Sequence, residues 1–78
     1  MNQYNDKHQR IGYWEKYHSN GNIWYKGCFI NGVHNGDWEW YYTDNNISCK
    51  GYYINSKPHG YWEHYEIDGI VTHKVFYL

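Results

Sequence analysis

GYWEKYHSNGNIWYKGCFINGVHN, residues 12–35, runs without a gap into GDWEWYYTDNNISCKGYYINSKPH, residues 36–59, and then GYWEHYEIDGIVTHKVFYL, residues 60–78. Read from Gly12, Gly36 and Gly60, these are three copies of one 24-residue unit. Trp14/Trp38/Trp62, Glu15/Glu39/Glu63, Tyr17/Tyr41/Tyr65 and Lys26/Lys50/Lys74 fall in register. A unit this short cannot bury its own apolar face, so the copies must stack on one another. Stacked repeats present extended surfaces, which points to binding before catalysis.

Each copy carries a two-residue turn signal: Asn20-Gly21, Asp44-Asn45 and Asp68-Gly69. Such pairs tolerate the positive φ of a type I′ turn, whose twist matches that of paired strands. The flanks are rich in Tyr, Trp, Ile, Val and Phe, which favour strands, and no stretch repeats its apolar residues with helical period. Each copy therefore reads as a β-hairpin. Counting back from Asn20-Gly21 sets Glu15 opposite Lys26, and the same count sets Glu39 opposite Lys50 and Glu63 opposite Lys74. An acid meets a base in all three copies, as cross-strand pairing favours. Trp14 falls opposite Gly27 and Trp38 opposite Gly51, where a large ring can shield bare backbone. In the third copy Val75 replaces that glycine.

Asn31-Gly32 and Asn55-Ser56 mark the links between hairpins, and Pro58 fits a loop or a strand edge. Residues 4–11 align with the end of a unit, so residues 1–11 read as a degenerate half-repeat that supplies one strand. The expected fold is all-β: a single-layer antiparallel meander of about seven strands, forming one domain over residues 1–78. Trp14 and Tyr17 are three apart and cannot share a face of a regular strand. Either both faces are used or a bulge intervenes, and the abundance of aromatics favours both faces.

The composition suits a thin sheet. Among 78 residues there are eleven Tyr and five Trp but only two Phe, no Ala and one Leu, so a sealed aliphatic core cannot be built. Tyr and Trp carry a polar tip and suit half-buried positions. A formal net charge of −1 argues against a nucleic-acid grip or attraction to an anionic membrane. No stretch approaches the roughly 20 apolar residues of a membrane span, and the polar start MNQYNDKHQR is not a signal peptide. Cys28 and Cys49 occupy different positions of the unit, so they read as free thiols in a reducing compartment. The expected location is the cytoplasm.

These residues resemble the MORN repeat, in the variant found in bacterial and viral proteins. Its pattern is roughly Gly-x-Trp-x-x-Tyr-x-x-Asn-Gly, then Gly-x-Tyr-x-x-Gly-x-x-x-Gly. The first copy fits it with Gly12, Trp14, Tyr17, Asn20, Gly21, Gly27, Phe29, Gly32 and Gly36. The second keeps Gly36, Trp38, Tyr41, Gly51, Tyr53 and Gly60, with Asn45 and Ser56 in place of glycines. The third keeps Gly60, Trp62, Tyr65 and Gly69. The resemblance covers residues 12–78 and implies the hairpin fold. For function it implies a scaffold, a module beside an enzyme, or an antitoxin-like partner.

No side chains assemble a recognisable catalytic or metal-binding motif. The six histidines do not recur at one position of the unit, and no Cys-x-x-Cys or His-x-x-x-His pair is present. The column Glu15/Glu39/Glu63 could supply catalytic carboxylates, but each faces a lysine and repeats with the fold. A nucleophilic Cys28 or Cys49 would need a basic neighbour such as His73. No catalytic residue, cofactor or metal is therefore expected. The repeated tryptophans read as structural. Trp24 and Trp40 are specific to their copies and, with Tyr42, Tyr13 and Tyr61, are the expected partner-binding residues, because Trp and Tyr concentrate interface energy. Residues 71–78 form the most apolar run. Val75, Phe76 and Tyr77 are expected to associate at a strand edge, by homodimerisation or by adding a partner's strand. The expected function is a small protein-binding inhibitor that acts by occlusion. The Asn-, Tyr-, Lys- and Ile-rich composition fits an AT-rich genome such as that of a phage. A small-molecule or nucleotide binder and a passive structural module are the alternatives.

Overall fold

The computed structural model describes residues 2–78; Met1, within the degenerate half-repeat, lies outside the described residues. Seven strands form in chain order: β1 (Gln3–Tyr4), β2 (Arg10–Tyr17), β3 (Ile23–Ile30), β4 (Val33–Tyr41), β5 (Ile47–Ile54), β6 (Lys57–Tyr65) and β7 (Val71–Tyr77). They pair antiparallel with their sequence neighbours in one open sheet. The molecule measures 41 × 36 × 12 Å, so the sheet is a single layer.

The register agrees with the count made from the turns. Glu15 pairs with Lys26, Glu39 with Lys50 and Glu63 with Lys74, while Trp14, Trp38 and Trp62 pair with Gly27, Gly51 and Val75. The turn type differs from the expectation. Gly21 N donates to His18 O at 3.0 Å and His18 N to Asn22 O at 2.8 Å, so the loop has three residues rather than two. Asn20 is not left-handed; only Gly21, and Asn45 and Gly69 after it, have positive φ. The side chains of Asn20, Asp44 and Asp68 each accept the backbone N–H two residues on, at 3.0 Å, which favours this turn over type I′. A bulge then restores the register: Tyr17 pairs with Ile23 but Lys16 with Tyr25, leaving Trp24 as the extra residue. Ser48 and Thr72 hold that place in the other hairpins. Positive φ at both turn residues occurs instead in the links, at Asn31-Gly32 and Asn55-Ser56.

The tryptophan–glycine relation also differs. Trp14 and Trp38 are the backbone partners of Gly27 and Gly51, but the rings covering those glycines belong to the next copy. A Cβ at Gly27 would overlap the Trp38 indole, and one at Gly51 would overlap Trp62. The cause is a second irregularity, where β4 and β6 each place three residues opposite one glycine. Gly36 (φ 82°) and Gly60 (φ 71°) make this possible. Each indole then donates back to the preceding copy, Trp38 Nε1 to Cys28 O at 3.1 Å and Trp62 Nε1 to Tyr52 O at 3.2 Å. Repeats are thus locked to one another by a ring over a bare backbone.

Both faces carry aromatics, but the two are unlike. One carries the tryptophans. Trp14, Phe29, Trp38 and Trp62 are at most 5 % exposed. A single layer achieves this because rings surround rings: His34, Phe29, Tyr25 and Trp40 lie 4.3, 5.0, 5.5 and 5.5 Å from Trp38. Arg10 lies over Trp14, with its guanidinium carbon 4.8 Å from the ring centroid. Burial, then the charge of Arg10, lowers the pKa of His34, which favours its neutral form among the rings. The other face carries the Glu and Lys columns with Tyr13, Tyr17, Tyr41, Tyr61 and Tyr65. The half-repeat supplies the two-residue β1 and the first two residues of β2, with a three-residue loop in place of a two-residue link.

Candidate partner-binding surfaces

The copies are also stitched together at both rims of the sheet. His18 Nε2 donates to Tyr41 O at 2.8 Å, and Tyr42, at the same position one copy on, donates its hydroxyl to Tyr65 O at 2.7 Å. Asn22 Nδ2 donates to Thr43 O at 2.6 Å, and its counterpart Asn46 to Ile67 O at 2.8 Å. At the other rim Gly32 N donates to Arg10 O and Ser56 N to His34 O, each at 2.8 Å. The third copy carries Glu66 and Ile70 where the others carry these side-chain donors.

The residues singled out from the sequence do not form one site. Trp40 is half-buried on the tryptophan face, stacked 5.5 Å from Trp38 and tilted against Trp62 at 5.9 Å. It packs against the buried cluster of Trp14, Phe29 and Trp38. Tyr42 is half-buried and tied to the next turn. Trp24 is 46 % exposed on its bulge, against His18 and Tyr25. Tyr13 and Tyr61 are exposed on the opposite face, far apart in the ladder. Beside Tyr61 lies an open cleft of about 390 Å³, lined among others by Asp37, Glu39, Lys50, Tyr52 and Glu63.

On that charged face the register sets Glu15, Lys26, Glu39, Lys50, Glu63 and Lys74 in one row across six strands. The closed ion pairs run between copies, not within them: Lys26–Glu39 at 3.3 Å and Lys50–Glu63 at 3.5 Å. Tyr13 and Tyr17 donate to Glu15 at 3.0 and 2.8 Å, and Tyr65 to Glu63 at 3.1 Å. The hydrogen bond to Glu39 is the first cause that raises the pKa of Lys26, while Tyr65 and then Glu63 raise that of Lys50.

The thiols lie on opposite faces: Cys28 pairs with Tyr13 on the charged face, Cys49 with Trp40 on the tryptophan face. Cys49 Sγ is 4.0 Å from His64 Nε2, not from His73, and burial raises its pKa, away from the thiolate. Among the described residues no three His, Cys, Asp or Glu side chains gather as a metal site would require. Among the described residues no helix is long and apolar enough to cross a membrane.

The two edges of the sheet are unequal. At the first, β1 pairs with Ile11 and Arg10, and Asn2 covers β2 at Tyr13 and Glu15: its N–H donates to Tyr13 O, its Nδ2 to Glu15 O, and its Oδ1 accepts Glu15 N, all at 2.9 Å. At the last, β7 has no strand on its far side among the described residues. Of the three residues expected to associate there, Phe76 is 67 % exposed, while Val75 is half-buried and Tyr77 packs edge-on against Trp62 at 6.1 Å. Ile67 and Ile70 stand exposed on the neighbouring turn, 56 % and 64 %. The sequence reading missed them, although Ile70 breaks the Asn22/Asn46 column as visibly as Trp24 breaks its own. Comparison with known families, with curated proteins and with solved structures finds no match to this chain.

Proposed function

We propose that this chain is a non-catalytic protein-binding module of MORN type, which acts as a small antitoxin-like inhibitor by occluding its partner. The observation that carries the reading is the inequality of the two edges. An open strand edge is a template for another strand, and one edge here is covered by a side-chain amide while the other is bare. Exposed Phe76, Ile67 and Ile70 around the bare edge supply the apolar contact a stable interface needs. The working compartment under this reading is the cytoplasm, that of a host if the gene is carried by a phage.

The test is affinity capture from the source cells with three proteins: the wild type, the double variant Ile70→Asp with Phe76→Asp, and Trp24→Ala. All three substitutions are at exposed positions, and far-UV melting checks the fold. One stoichiometric protein partner is expected with the wild type and with Trp24→Ala, and loss of it with the double variant. Retention by the double variant overturns the assignment to this edge, and loss with Trp24→Ala moves binding to the tryptophan face. The cleft beside Tyr52 and Tyr61 favours a second reading, a planar small ligand stacked on tyrosine. A ligand that survives purification and is lost on Tyr61→Ala would select it.

A further inference from the structure

We propose that the edge of β7 takes an extended strand from a different protein, with an Asp or Glu of that strand set opposite Lys74. The inference rests on the protein-binding reading above and adds the chemistry of the partner. The row Glu15–Lys26–Glu39–Lys50–Glu63–Lys74 alternates in sign across six strands and stops on a cation. Lys26 and Lys50 each lie between two glutamates. Lys74 lies beside one, Glu63, whose carboxylate is closed on Lys50 at 3.5 Å. Among the described residues Lys74 has no ion-pair partner. The position across from it is the next place in the row, and opposite charges directly across strands attract. Phe76 lies two residues along on the same face and is 67 % exposed, so an apolar residue two from the acid completes the match.

A second copy of this chain does not fit. β7 reads VTHKVFY and contains no acidic residue, so no register of β7 against itself sets an Asp or Glu side chain opposite Lys74. Antiparallel pairing centred on residue 74 sets lysine against lysine. The outer strand β2 does carry Glu15 in the row, but β1 and Asn2 occupy its edge. Placing Glu15 of another copy against Lys74 would also bring its Trp14 over residue 75, as Trp38 lies over Gly27. Val75 fills the space that glycine leaves open. The edge therefore accepts a strand but refuses a further repeat.

The probe is a display library of random ten-residue peptides, selected in parallel on the wild type, Lys74→Glu and Lys74→Gln. Selected peptides are then added to the full chain, and hydrogen exchange of the β7 amides is followed. On the wild type, enrichment of Asp or Glu at one position is expected, with an apolar residue two away and slowed exchange over residues 71–77. Replacing that acid by its amide should weaken binding about two- to fivefold. Lys74→Glu should turn the preference to Lys or Arg, and Lys74→Gln should abolish it. Peptides that protect β7 without any charge preference, or with the same preference on Lys74→Glu, overturn this inference and leave edge binding standing. Selected peptides that leave β7 unprotected, selection of copies of β7 itself, or no selection at all overturn both.

Discussion

Gly27 and Gly51 show how much one missing Cβ decides. Each lies under the indole of the next copy, and that ring both seals bare backbone and donates a hydrogen bond across the copy boundary. An added methyl must push the ring out of a packed site, and overpacking typically costs about 1–3 kcal/mol. Gly27→Ala and Gly51→Ala are expected to lose that much in urea unfolding. Gly21→Ala is the contrast, because its Cβ would meet nothing and only the positive φ resists it. If Gly51→Ala unfolds at the wild-type midpoint, the indole does not hold the repeats together. Residue 75 shows the reverse: a valine in the same slot ends the pattern.

Backbone pairing joins every strand to the next, and between hairpins it is reinforced by the tryptophans, the rim hydrogen bonds and two ion pairs. Lys26 and Lys50 each face glutamate on both sides, yet the pairs that close are Lys26–Glu39 and Lys50–Glu63. A double-mutant cycle on Lys26 and Glu39 by thermal unfolding should therefore give a coupling of about 0.2–1 kcal/mol, as exposed pairs do. The cycle on Glu39 and Lys50 should give less. Equal couplings would mean that the lysines exchange between their two partners in solution. A large coupling only within the hairpin would contradict the geometry.

For the whole molecule, growth of the sheet by further repeats is opposed at both edges by different means. Asn2 and β1 occupy the outer side of β2, and Val75 refuses the tryptophan of a further copy. Such devices are what keep an open sheet from pairing with itself without limit. Removing residues 1–5 and replacing Val75→Gly should together allow head-to-tail stacking, with a light-scattering mass that climbs with concentration. Neither change alone should do so. A doubly altered chain of constant mass would show that the edges are not what limits assembly.

The sequence by itself determined the repeat, its hairpins, the strand order and the pairing of Glu with Lys, because turn signals and a 24-residue period fix a one-dimensional count. The count survived a wrong turn type because the bulge at Trp24, Ser48 and Thr72 adds back the residue that the longer loop removes. It could not say which neighbour a side chain meets. That depends on the left-handed glycines at positions 36 and 60, which carry each tryptophan over the preceding copy and close the ion pairs there. Trp40 recurs nowhere in the other copies, yet it packs between two buried indoles. Burial in a single layer is conferred by neighbouring rings, not by depth, and only the tertiary structure shows which rings are neighbours. The inequality of the edges was also out of reach of the sequence. Nothing in the identity of Asn2 says that its amide will stand in for a strand on Glu15.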